Sequence, residues 1–218
     1  MARARIHPHP PRMAAPDLPP DLEPGELTRS GDITGARVHL AGGRTDAGHS
    51  RISECTITAA SVDRLDLTGA TVSDVYLEQP VATEVIARDA TWRTVIVRGG
   101  RIGSLDLSRG RWDAVLLEGV RIDYLSAGSA TLRDVQVTDC RITAWDAPGA
   151  RIERLAFSAT RVDEFDTREM QAVDLDLRGL DALSFTDVRA LRGATMSGAQ
   201  AAEHATSFAA ALGIDVRG

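Results

Sequence analysis

From Ser61 to Ala190 the chain is written in ten-residue blocks, and that constant period restricts the fold more than any other feature. SVDRLDLTGA, TVSDVYLEQP, RIGSLDLSRG and RIDYLSAGSA show the pattern. The second, fifth and seventh positions are apolar, and the tenth is small. A fixed short period is the signature of a solenoid. Ten residues in two halves of five match neither an amphipathic helix nor a flat alternating strand. Each half turns two side chains inward, two residues apart. These pairs are Leu65 and Leu67, or Val115 and Leu117, and then Ala70 and Val72, or Gly110 and Trp112.

Composition suits such an interior. Hydrophobic residues make up 43% of the chain but aromatics only 4%, so the core must be aliphatic and small. Lysine is absent, and the net charge is −6. Between Arg51 and Arg189 there are 23 acids and 17 arginines, so the repeats carry the excess. That balance disfavours direct nucleic-acid binding. Cys55 and Cys140 fall at inward positions with no metal-type spacing, which suits a reducing, cytoplasmic compartment. No apolar run reaches membrane-spanning length.

Met1 to Gly25 holds seven of the nine prolines and little apolar material. It is expected to be a disordered or polyproline-like lead-in. His7 and His9 lack companions for a metal site. Residues 26–50 read as an irregular first coil or N-terminal cap. Ile33, Val38 and Leu40 alternate there, and AGGRTDAGHS shifts the frame. Gly42-Gly43 and Gly99-Gly100 read as corners. Residues 51–196 form the repeat body, and residues 197–218 a helix and tail.

Leu65-Asp66-Leu67-Thr68-Gly69, Leu105-Asp106-Leu107-Ser108-Arg109 and Leu175-Asp176-Leu177-Arg178-Gly179 carry a family resemblance. The chain resembles pentapeptide-repeat proteins, whose motif is a small residue, Asp or Asn, a leucine-like centre and two variable residues. About 28 consecutive units keep phase. Many have Arg or Thr where the family prefers Asp or Asn. The resemblance implies an all-β solenoid, a right-handed quadrilateral β-helix with four units, or twenty residues, to a coil. Seven coils from Arg51 to Ala190 at about 4.8 Å would give a rod of roughly 34 Å.

The twenty-residue coil places the largest side chains beside the smallest. Trp92 follows Ala90, Trp112 follows Gly110, and Ala147 follows Trp145, as close packing requires. Trp92 and Trp112 should stack in adjacent coils. Rod ends expose unpaired edges and need caps. Ser197 and Gln200 have capping-box spacing. Ala201, Ala205, Phe208 and Leu212 form a stripe on a helix from about Gly198 to Leu212, with Gly213 just past its end. The run LRGATMSGAQAAEHATSFAAALGIDV also looks like the end of free-standing actinobacterial pentapeptide proteins. In the quinolone-resistance branch such a helix joins two rods. Here it caps its own rod, pairs with a second copy, or does both; a homodimer is the favoured expectation.

No histidine lies in the repeats, and there is no phosphate-binding glycine loop, HExxH or CxxC. A general base poised near neutral pH is missing from the rod. No enzyme, cofactor or metal is therefore expected. Specificity must lie in outward columns of residues twenty apart. One is Arg101, Arg121, Arg141 and Arg161. Another is Asp66, Asp106, Asp146 and Asp166, of which the last three are expected to neutralise Arg101, Arg141 and Arg161, five residues before. A third is apolar, with Tyr76, Ile96 and Leu116 outward and Val81 and Ile86 on neighbouring faces. A partner, a dimer mate or the N-terminal segment could cover it. The expectation is a non-catalytic scaffold with a protein partner. The alternatives are a self-assembling solenoid or, by the resemblance, a DNA-mimicking modulator of gyrase. In the quinolone-resistance branch the rod matches B-form DNA in width and charge.

Overall fold

The computed structural model describes residues 7–217. From Arg44 onward the strands stack in parallel at a strict offset of twenty. Arg51 pairs with Thr71, Thr71 with Thr91, Thr91 with Arg111, Arg111 with Thr131, and Thr131 with Arg151. A second series climbs the other side through Arg101–Asp106, Arg121–Ser126, Arg141–Asp146 and Thr160–Asp166. This series has 8 strands, one per coil. At about 4.8 Å per coil the rod is about 38 Å long. The offset holds to Phe165 and Phe185.

Each coil has four sides because the backbone turns every five residues. At one corner Ala70 N donates to Leu67 O at 2.9 Å, closing a turn with Gly69 at φ 66°. The same bond recurs from Ala90 to Ala87, Gly110 to Leu107 and Ala130 to Ala127. A second corner places Asp74, Thr94, Ala114, Asp134, Arg154 and Asp174 at positive φ. Among the described residues, seventeen non-glycine residues are left-handed. That conformation costs roughly 1–2 kcal/mol per L-residue. Stacking repays it, since each corner fixes two inward side chains and a ladder of inter-coil hydrogen bonds. Gly100 is needed outright: at φ 80° a Cβ there would lie 2.2 Å from Pro80 O.

The interior is one continuous column. Val75, Val95, Val115, Val135 and Leu155 line one side, each at most 1% exposed. Leu65, Val85, Leu105, Leu125, Trp145 and Phe165 line the other. Trp92 and Trp112 stack at 5.2 Å with planes 13° apart, in the neighbouring coils where their spacing put them. Trp145 stacks on Phe165 at 5.2 Å, and Phe165 lies 6.0 Å from Phe185. Such pairs add about 0.5–1.5 kcal/mol each beyond area burial. Cys55 and Cys140 are free and buried. Burial pushes the Cys140 thiol up to about 11.

Residues 26–50 are more regular than AGGRTDAGHS suggests. Arg44–Asp46 pairs with Arg64–Asp66 at the usual offset, and Ala47 is fully buried. Residues 32–41 pair with 51–60 at an offset of nineteen, as Ile33 does with Ile52, and Glu23 pairs with Ala36 at thirteen. The shift from nineteen to twenty is a single residue, absorbed beside Gly42, Gly43 and Ser61, all at positive φ.

The C-terminal segment is broken into two helices, α1 (Gly198–Glu203) and α2 (Ala205–Ala211), where one helix from Gly198 to Leu212 was expected. The break is at His204, which turns inward, is 7% exposed, and packs edge-on to Phe185 at 5.0 Å. The capping box of Ser197 and Gln200 is formed, and Gly213 follows α2 at φ 78°. No described helix is long and apolar enough to cross a membrane.

Candidate functional site

The Asp column serves the corners first. Asp66 Oδ1 accepts from Thr68 N at 2.9 Å, Asp106 Oδ1 from Ser108 N at 3.0 Å, and Asp166 Oδ1 from Arg168 N at 3.0 Å. Asp46 and Asp176 make the same bond to Gly48 and Arg178. Each carboxylate holds the turn that starts beside it. Burial acts to raise the Asp66 and Asp106 carboxyls, but hydrogen bonds from Thr68, Ser108 and nearby arginines outweigh it and hold both low. For Asp166 the Arg168 guanidinium is the leading cause of a lowered value. Asp146 is different. Pro148 has no N–H to offer, and Asp146 accepts from the Tyr124 hydroxyl at 2.6 Å.

The Arg column is real but is neutralised differently than expected. Arg101, Arg121, Arg141 and Arg161 are direct register partners. Arg101 reaches Asp123 at 2.8 Å, Arg121 reaches Asp123 at 3.5 Å, and Arg161 reaches Asp163 at 2.7 Å and Asp181 at 3.1 Å. None pairs with Asp106, Asp146 or Asp166. A residue two further on shares the face, whereas one five further on lies round a corner. Asp106 takes Arg88, Asp166 takes Arg168, and Asp66 takes Arg64. Arg141 has Thr143 two residues on, and no described carboxylate forms an ion pair with it.

The apolar column is smaller than its letters suggest. Tyr76, Ile96 and Leu116 are in register. Ile96, between its two neighbours, is 7% exposed, and Tyr76 and Leu116 are half-buried. The Arg98 guanidinium lies over the Tyr76 ring at 5.8 Å. Ile86, expected outward, is 3% exposed. It stands between Asp66 and Asp106, where Arg64 and Arg88 form ion pairs on either side. Val81 remains exposed.

At the C-terminal end Gln200 Nε2 donates to Leu177 O and Leu180 O, both at 2.6 Å, docking α1 on the last coil. The expected stripe divides. Phe208 packs against the core, Ala201 and Ala205 are exposed, and Leu212 is 78% exposed. Beside it lies a groove of about 600 Å³ lined by Val188, Leu191, Met196, Phe208 and Leu212. Ile214 and Val216 add to this apolar end.

The surface the sequence did not reveal is a corner. The lead-in, expected to be disordered or polyproline-like, lies along the rod from His9 to Pro19. His9 Nδ1 is 3.1 Å from Asp174 Oδ2. Arg12 N donates to Asp134 Oδ1 at 2.8 Å, and Asp17 N to Asp74 Oδ1 at 3.5 Å. Pro16 is buried, and Pro19 lies beside Gly35. Asp134 is itself gripped by Arg154, with Nε at 2.5 Å and Nη2 at 2.8 Å, and both residues are buried. Asp134 is held low because the Arg154 hydrogen bond and the Arg12 amide outweigh its burial, the largest opposing influence. The available signal was three aspartates, Asp74, Asp134 and Asp174, at one corner position of a chain whose first 25 residues hold seven prolines.

No family model matches the sequence, and no curated protein does. Among solved structures the chain is similar to QnrB1, described as a plasmid-mediated fluoroquinolone resistance protein. One trypsin-treated form aligns at 15% identity and TM-score 0.34, over 89% of this chain and 100% of that one. A second aligns at 14% and 0.38, over 88% and 98%. The full-length form aligns at 12% and 0.34, over 84% and 96%. The coil itself, with five residues to a side, four sides to a turn and parallel strands throughout, is that of a parallel β-solenoid of about 8 turns.

Proposed function

We propose that this protein is a non-catalytic scaffold that binds another protein and pairs with a second copy of itself through its C-terminal end. The observation that carries this reading is the contrast between the rod's sides and its end. On the sides, most charges of the Asp column and of the Arg column are tied into hydrogen bonds and ion pairs. At the end, Leu212, Ile214 and Val216 are exposed beside an apolar groove. An apolar surface of that kind marks a contact. The buried, unpaired Cys55 and Cys140 suit a reducing cytoplasm. Light scattering on the purified chain tests the pairing. A discrete dimer supports it, and an open series of sizes supports end-to-end assembly instead.

A second reading, a DNA-mimicking modulator of gyrase, draws on the rod shape and the net charge of −6. Against it stands the placement of the acids. Asp66, Asp106 and Asp166 bend back onto their own turns and carry arginine partners, so they do not add up to a phosphate-like strip. Retention of purified gyrase by the immobilised protein, with altered supercoiling at low salt, would favour this reading. No retention and unchanged supercoiling would remove it.

A further inference from the structure

We propose that the corner column from Asp74 to Asp174 is a recognition groove for polyproline-II peptides, filled in cis by residues 9–17 and in trans by a proline-rich segment of a partner protein. The proposal rests on the scaffold reading and names the chemistry of its partner.

Between the Arg12 and Asp17 amides the contact moves three coils, from Asp134 to Asp74, while His9 reaches Asp174 with its ring. Five residues rise about 15.5 Å against about 14.4 Å. An extended proline-rich segment is therefore commensurate with this solenoid, and it can track the corner without strain.

Arg12 and Asp17 are bound through their backbone N–H groups, not their side chains. Asp134 is aimed in advance by the two Arg154 donors, so its acceptor is preorganised. Contacts of this kind read backbone shape and donor spacing. They accept any polyproline-II segment with amides five residues apart, and such a segment loses little entropy on binding. The intact strap lowers the affinity for an outside peptide in proportion to the fraction of time it is released.

The test uses the full-length protein and a fluorescent peptide of residues 7–19, HPHPPRMAAPDLP, read by anisotropy. The variant Pro10→Gly, Pro11→Gly, Pro16→Gly loosens the strap without touching the rod. Trypsin cleavage after Arg12 should quicken by about tenfold, and the peptide should bind about tenfold more tightly than to the unaltered chain. A peptide with every proline changed to glycine should bind neither. The variant Arg12→Pro keeps the extended shape and removes one donor; it too should gain peptide affinity. Unchanged trypsin cleavage would show that the prolines do not hold the strap and would overturn the proposal. So would faster cleavage without tighter binding, or equal binding of the glycine peptide. Any of these leaves the scaffold reading to its own test by light scattering.

Discussion

The Tyr124 hydroxyl donates to Asp146 Oδ2 at 2.6 Å, from one coil to the next, at the one Asp-column position followed by a proline. Pro148 cannot supply the amide that Asp66, Asp106 and Asp166 each use, and the phenol replaces it. The bond to Asp146, then burial, push the Tyr124 phenol up to about 12. Spectrophotometric titration should show one tyrosine ionising near that value. Asp146→Asn should bring it back toward the ordinary value of about 10. The folded value lies above the unfolded one, so this contribution to stability is complete below about pH 10 and is lost as pH rises toward 12. Absence of a late-ionising tyrosine would contradict the bond.

The corner carboxylates act in the opposite direction. Asp66, Asp106, Asp166 and Asp176 all lie below the usual carboxyl value of 3.8. Their stabilisation is complete above that value and is lost as pH falls through the lower folded values. The urea midpoint should therefore be flat from about pH 7 to 5 and drop below about pH 4. Asp106→Asn should make the drop shallower, because an amide can hold Ser108 N without titrating.

The repeat was legible because inward positions are chosen for size, and size shows in a sequence. Leu65, Val115 and Trp112 follow from a period of five alone. Corners were less legible. Thr94, Ala159 and Arg154 adopt a conformation usually associated with glycine, since stacking on both sides, not the local sequence, decides it. Outward columns were legible as positions but not as partnerships. Arg161 finds Asp163 and not Asp166, five residues away, because facing follows the strand and not the repeat. The strap was hidden for a different reason. Its binding uses backbone amides of Arg12 and Asp17, and amides carry no letter.

Ala159, exposed and at φ 46°, is an inexpensive place to test the corner cost. Its column also holds Gly99 and Gly119. Asn tolerates this region better than Ala and adds less unfolded-state entropy than Gly. Ala159→Asn should stabilise by about 0.5–1 kcal/mol and raise the midpoint of thermal unfolding by about 2–4 °C. A lower midpoint would show that the corner is held by contacts the alanine makes.

Asp134 and Arg154 form the buried ion pair beneath the strap. Arg154 also pairs with the exposed Glu153, so losing Asp134 removes two charged hydrogen bonds but leaves no wholly unpaired charge. Asp134→Ala should cost about 1–3 kcal/mol and should also release the amide of Arg12. The double change Asp134→Leu, Arg154→Met should recover most of the loss, because no partly paired charge stays buried. It should not restore protection of the Arg12 peptide bond from trypsin. Chemical denaturation and limited proteolysis on the same two variants separate the pair's contribution to the rod from its contribution to the strap.

Leu212 tests the C-terminal end. It is 78% exposed, and it borders a groove whose other walls are Phe208, Leu191 and Met196. The helices themselves are held from inside. Gln200 bonds Leu177 O and Leu180 O, His204 packs on Phe185, and the Arg189 guanidinium donates to Ala211 O at 3.1 Å. Leu212 takes no part in these attachments, so a charge there should leave the cap in place. Leu212→Glu should convert a dimer to monomer in light scattering while the thermal midpoint of the rod, measured where both are monomeric, changes by less than about 2 °C. Gln200→Ala should do the reverse and loosen α1 from the last coil, with a loss of about 1–3 kcal/mol from the two side-chain bonds, Leu177 O keeping only its bond from Leu180 N. A dimer that survives Leu212→Glu would place the contact on the rod's sides and remove the C-terminal end from the reading.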